Sequence, residues 1–168
     1  MPSPNRLRKE IPLRDRDGSV VAYALVDVDD YDWLMQWRWS LSPRGCAYRR
    51  GQVEKKQIEI KMHRLLMGNP QQQVDHINGN PLDNRRENLR LATCAQNNQN
   101  RDPRGHGSSG YRGVSFQKDI GRWRAQHTLH RKKHHIGTFG TAEEAAVAAA
   151  AWREKNMPFS SEAPRAHA

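Results

Sequence analysis

From Asp102 to Gly110 the chain reads Asp-Pro-Arg-Gly-His-Gly-Ser-Ser-Gly, a run of turn formers and small residues with no apolar periodicity. A run of that kind has no face to bury and reads as a flexible linker. It divides the 168 residues into two pieces, and each must close around a small core of its own. The composition agrees, with 36% hydrophobic and 27% charged residues.

Lys and Arg number 28 against 18 Asp and Glu, a formal net charge of +10. That excess on a small protein points to a polyanion, and nucleic acid leads the candidates. The charge is uneven: residues 1–60 carry +2, residues 61–105 carry +3 and residues 106–168 carry +5. Between Tyr111 and Phe139, seven basic side chains stand against Asp119 alone. No apolar run approaches a membrane span, and residues 1–20 are too charged to hold the apolar stretch of a signal peptide, so neither membrane insertion nor secretion is expected. Cys46 and Cys94 lie far apart and outside any CxxC pair, which argues against a disulfide framework or a zinc ribbon and for a reducing, cytoplasmic setting.

In the N-terminal region, residues 1–60, Ser19–Val26 and Gln57–Met62 are strand-like, and Asp29–Trp37 has the acidic start and apolar spacing of a short helix. Trp33, Trp37 and Trp39 suit either a base-stacking platform or a core; a core is favoured, because large aromatics supply much of the burial open to a small domain.

Residues 61–101 carry the chemistry. Gln73–Ile77 reads as a strand, and Asn78-Gly79-Asn80-Pro81 with Asp83-Asn84 as a turn-rich loop. Leu89–Ala92 reads as a second strand, and Thr93 with Gln96 as a capping box that opens a helix. Strand, loop, strand and helix in this order can bring Asp75 near Asn97 as hard oxygen ligands for a divalent cation, while His76 faces the other side of its strand. A neutral histidine beside such a cation suits phosphodiester hydrolysis, taking a proton from the attacking water. Arg64, Arg85, Arg86 and Arg90 are either phosphate ligands or, more ordinarily, solvated charges.

Asp75-His76-Ile77-Asn78-Gly79-Asn80, Asp83-Asn84, Glu87-Asn88-Leu89-Arg90 and Asn97, preceded by His63-Arg64-Leu65, resemble the HNH endonucleases of the ββα-metal (His-Me finger) class, in particular phage-type homing endonucleases. The resemblance implies that His76 is the general base, that Asp75 and Asn97 bind the metal, and that Asn88 holds the loop that orients His76. It places His63 in a supporting or phosphate-contacting role. Many relatives have His where this chain has Asn97, and an all-oxygen protein shell suits Mg2+ or Mn2+ better than zinc. The resemblance also places the chain in a bacterial or phage-infected cell.

Residues 111–157 read as strands at Tyr111–Phe116, Arg122–His127 and His134–Phe139, with turns at Lys118–Gly121 and His130–Lys133. An alanine-rich helix follows, opened by a Thr141/Glu144 capping box, and its small residues let it lie close on the sheet. The open face would then show Arg112, Arg122, Arg124 and Trp123, a basic ribbon of the kind that enters the major groove. Tyr111-Arg112-Gly113-Val114, Gly121-Arg122-Trp123-Arg124-Ala125, Ile136-Gly137-Thr138-Phe139 and Thr141-Ala142-Glu143-Glu144-Ala145-Ala146 resemble the Apetala-type DNA-binding domain of ethylene-response factors, which implies DNA contact by Arg112, Arg122, Trp123 and Arg124. His127, His130, His134 and His135 have no partner carboxylate or cysteine and read as strand and surface residues.

The expectation is an α+β chain: an N-terminal β-rich region (1–60), a ββα-metal nuclease core (61–101), a linker (102–110), a three-stranded antiparallel sheet packed on one helix (111–157), and a flexible tail (158–168). Its expected activity is metal-dependent endonuclease action on double-stranded DNA, with no obligate protein partner. The alternative is a non-catalytic DNA-binding regulator with a decayed nuclease unit.

Overall fold

A computed structural model describes residues 7–100 and 109–160, which fall into two compact units, one ending at Asn97 and the other beginning at Asn98. Of the expected linker, only Ser109 and Gly110 are among the described residues.

In the first unit, β1 (Arg8–Arg14) and β2 (Val20–Asp27) form an antiparallel hairpin. Period-two alternation buries Ile11 and Leu13 from one strand and Ala24 and Val26 from the other. β2 falls where the apolar run predicts a strand. β1 has no such signal, because Pro12 and four charged side chains interrupt its alternation, and a proline is tolerated there only because the strand lies at a sheet edge. α1 (Val28–Leu34) follows directly and stops short of the expected Trp37, with Trp37 N–H donating to Leu34 O in a tighter turn (3.3 Å).

β3 (Ser40–Leu41), β4 (Ala47–Val53) and β5 (Lys56–Lys61) make a second antiparallel sheet in that order. Glu54 and Lys55 join β4 to β5 with φ of 47° and 63°, the left-handed geometry that matches hairpin twist. α2 (Met62–Leu66), β6 (Gln73–His76), a 3-10 turn (Arg86–Asn88), β7 (Leu89–Ala92) and α3 (Cys94–Gln99) complete the order.

Ile11, Leu13, Val26, Leu34, Trp39, Met62, Leu66, Val74 and Leu89 belong to one hydrophobic core. The N-terminal region and the segment carrying His76 therefore share a core, and no division of cores falls at residue 60. Trp39 anchors it at 1% exposure, its Nε1 donating to Leu34 O at 2.8 Å. Trp37 packs at the edge of this core and Trp33 is exposed, each ring edge-on to the next.

In the second unit, β8 (Val114–Gln117), β9 (Arg122–Leu129) and β10 (Lys132–Phe139) form an antiparallel sheet in the order β10-β9-β8, covered by α4 (Ala142–Asn156). The Thr141/Glu144 capping box is present. Ala145, Ala149 and Arg153, spaced four apart, form the buried stripe of α4, and Val114 and Ala125 meet it from the sheet. Buried Arg153 donates to Arg112 O (3.0 Å) and shares a 2.7 Å bond with His127 Nε2. Gly113, at φ 78°, lies where a Cβ would come within 2.4 Å of the His127 ring, so only glycine fits this position of the Tyr-Arg-Gly-Val motif. Ser160, at the start of the expected tail, is buried, and Phe159 N–H donates to Gln99 Oε1; residues 161–168 lie outside the described residues. Among the described residues, no helix is long and apolar enough to cross a membrane.

Candidate functional site

β6 and β7 pair antiparallel with Asp75 opposite Arg90 and His76 opposite Leu89. The Thr93 capping box that opens α3 is formed, Thr93 N–H to Gln96 Oε1 at 2.8 Å and Gln96 N–H to Thr93 Oγ1 at 3.2 Å.

The loop between the strands is laced by side-chain amides. Asn88 Nδ2 donates to Asn78 Oδ1 (2.9 Å) and to Asp83 O (2.8 Å), and Asn88 Oδ1 accepts from Asn78 N–H (3.0 Å). Asn78 Nδ2 in turn donates to Asp83 Oδ2 at 2.8 Å. Burial alone pushes the Asp83 carboxyl up, but Arg85, bonded to both carboxylate oxygens, outweighs it and holds the group below its ordinary range. The loop is also clamped to β2, with Leu25 N–H on Leu82 O and Asn84 N–H on Leu25 O, both at 2.8 Å.

His76 is 8% exposed and His63 is 7% exposed; their rings meet edge-on with centroids 4.9 Å apart. Burial pushes the pKa of His76 down, opposed by Asn84, whose Oδ1 lies 3.5 Å from Nε2, and by the Asp75 charge. His63 is pushed down to about 3, by burial first and then by His76, Lys61 and Arg64. Both rings are therefore neutral at physiological pH. Asn84 is fully buried, and its Nδ2 donates to Leu82 O at 3.1 Å, which turns Oδ1 toward His76.

Asp75 and Gln73, two residues apart, share the other face of β6. Asn97 Nδ2 donates to Gln73 Oε1 at 2.7 Å, which brings the Asn97 amide to that face and leaves its oxygen as the available donor. A carboxylate and an amide oxygen fit a hard divalent cation. Arg90 already reaches this carboxylate, with Nε and Nη2 on Asp75 Oδ2 at 2.9 and 2.8 Å. Among the described residues there is no cluster of three or more His, Cys, Asp or Glu side chains arranged for a metal.

Arg64, Arg85, Arg86 and Arg90 are each bound within the protein. Arg64 donates to the Pro70 and Gln72 carbonyls, and Arg85 pairs with Asp83 and Glu87. Arg86 ties three elements together: its guanidinium holds Asp30 of α1 (2.8 and 2.7 Å) and Leu66 O of α2 (3.0 Å), and its N–H donates to Asp27 of β2 (2.9 Å).

In the second unit, register decides which basic residues face outward. Ser115, Arg124 and Thr138 align on one face, with Arg122 two residues along it. Phe116, Trp123 and Phe139 align on the other, where Trp123 packs into the core under α4. Trp123 thus lies on the helix side of the sheet, opposite Arg122 and Arg124, because alternate strand residues face opposite ways. Arg112 donates to the carbonyls of Asn98 (3.3 Å) and Gln99 (2.9 Å).

The HNH endonuclease family model matches residues 68–99, and the AP2 domain model matches residues 109–157. The chain joins an HNH-type segment to an AP2 domain. Protein 3.8 of Escherichia phage T7 is 38% identical over 63 residues, which are 38% of this chain and 52% of that protein, so the match spans about half the length of this curated relative. No solved structure matches. The HNH match contains Asp75, His76, Asn88 and Asn97; His63 lies before it. The AP2 match runs from before β8 to the end of α4.

Two residues of this segment carry no role in the sequence reading, Asn84, which faces His76, and Gln73, which holds Asn97; Arg86, read as a phosphate ligand or a solvated charge, instead ties the loop to α1. Asn84 stands in the motif and was legible as a member of it. The pairings of Gln73 and Arg86 have no sequence signal, since their partners lie 24 and 56 residues away.

Proposed function

We propose that the chain is a divalent-metal-dependent DNA endonuclease whose HNH segment hydrolyses phosphodiester bonds while the AP2 domain holds double-stranded DNA through Arg122 and Arg124. The observation that carries this reading is a buried, neutral imidazole at His76, on a strand whose other face carries Asp75 and, through Gln73, Asn97, within the segment that the HNH family matches.

His76 accepts a proton from the attacking water; a ring kept neutral by burial is in the form a base requires. Asn84 orients the ring, His63 backs it with an edge contact, and Asn88 keeps the loop from shifting. Asp75 and Asn97 would hold a divalent cation, Mg2+ or Mn2+ by the hardness of the oxygens, which would supply charge stabilisation to the phosphodiester. Gln73 orients the Asn97 amide, and Arg90 must share or yield Asp75 Oδ2 when the cation binds. One such site per chain cuts one strand per event, so nicks are the expected product. A bacterial or phage-infected cell, where DNA is accessible, is the setting this activity needs.

The Arg90–Asp75 ion pair favours a second reading, a DNA-binding regulator whose nuclease unit has decayed. Incubation with supercoiled plasmid separates the two. Nicking in Mg2+ that stops with chelator supports the enzyme, whereas DNA binding without nicking in Mg2+ or Mn2+ supports the regulator.

A further inference from the structure

The N-terminal sheets hold a cleft of about 840 Å3 in the first unit. Arg14, Arg16, Arg38, Arg49 and Arg50 line it, and Asp15 is the one carboxylate among its lining residues. That carboxylate already accepts from the N–H groups of Asp17 and Ser19.

The arginines have three kinds of environment. Arg14 donates to Gly18 O at 2.8 Å, and Arg38 bonds the carbonyls of Asp15 and Arg16, so these two are held in place without a countercharge. The Arg49 guanidinium lies 4.4 Å from the Trp37 ring centroid, and its Nε is buried with no hydrogen-bond partner. Arg16 and Arg50 are exposed and make no ion pair among the described residues.

We propose that this cleft is a second DNA site, which grips the sugar-phosphate backbone from the same unit that carries His76. The proposal rests on the DNA reading above. Two observations lead to it. The arginines of the HNH segment are bound to protein carboxylates and carbonyls, so the first unit needs phosphate ligands from elsewhere. The cleft supplies five guanidiniums, three of them on carbonyls or an indole and two exposed without an ion pair, so their charge is uncompensated, and planar forks of this kind match phosphate oxygens. Backbone contact is favoured over base stacking because a guanidinium already lies over the Trp37 ring.

The test measures binding of the full chain to a labelled duplex of arbitrary sequence, in chelator, over a range of salt concentrations. The Arg16→Ala/Arg50→Ala variant should bind roughly tenfold more weakly near 0.1 M salt, with a salt slope shallower by up to about 1.8, the value for two lost phosphate contacts. Its thermal midpoint should be unchanged, and Arg16→Lys/Arg50→Lys should recover most of the affinity. Wild-type affinity and slope in the alanine variant overturn the proposal, as does an equal loss in the lysine variant, which would mark a structural role. A wild-type chain that binds but never nicks, with the alanine variant weakened, sinks the nuclease and keeps the cleft. A wild-type chain that binds no DNA overturns both.

Discussion

His63 and His76 meet edge-on at 4.9 Å between ring centroids, both buried and neutral, so the proposed base is backed by a second imidazole. The pair makes the first unit acid-sensitive. The folded pKa of His63, about 3, lies below its ordinary 6.5, so the unfolded chain takes up the proton first as pH falls. The stability from this residue is complete above pH 6.5 and is lost progressively toward pH 3. At pH 5 the loss is roughly 2 kcal/mol. Urea denaturation at pH 7.5 and pH 5 should show it, and His63→Phe should shrink the difference. Equal acid sensitivity in that variant would contradict the assignment.

His76→Ala should lower the nicking rate by about 100-fold to 10,000-fold, the usual range for a general base, with duplex affinity nearly unchanged. Because burial depresses this group's pKa below its ordinary 6.5, the wild-type rate should reach its half-maximal value only below pH 6.5. A rate that halves above pH 7 would point to another base.

Gln73→Ala removes the group that orients Asn97 and leaves Asp75 in place. The Mg2+ concentration for half-maximal nicking should rise about tenfold, as for other residues that position a metal ligand. An unchanged metal titration would separate Asn97 from the cation.

Arg86→Met cuts the tie between the loop, α1 and α2 and leaves Asp30 buried without its countercharge. Discounting for the partly exposed Arg86, a loss of roughly 1–3 kcal/mol is expected in denaturant titrations. Asp30→Asn should cost less, since its amide oxygen still accepts a hydrogen bond. The reverse order would count against the ion pair.

On the AP2 sheet, Arg122→Ala and Arg124→Ala should each weaken duplex binding and make the salt slope shallower by about 1. Trp123→Ala should instead lower the melting temperature of the second unit, because its ring packs under α4. A Trp123 variant that melts normally and loses binding would put the indole on DNA after all.

Much of this was legible locally. The Thr93 and Thr141 caps, the β6–loop–β7–α3 order and the three AP2 strands follow from hydrophobic alternation and from side chains bonding to neighbours a few residues away, and such forces are written in short stretches of chain. β1 was not legible, because its pattern becomes a strand only when β2 supplies the partner.

The sequence by itself determined the two motif sets and the positive charge. Tertiary structure alone decided what each charge does. Arg86 is a tie because Asp30 folds against it, and Trp123 is core because register turns it toward α4. Residues 1–60 carry a net charge of only +2, yet folding gathers five of their arginines around one cleft while Asp27 and Asp30 turn to Arg86. Charge adds along a chain, but potential depends on distance, and distances exist only after the strands have paired.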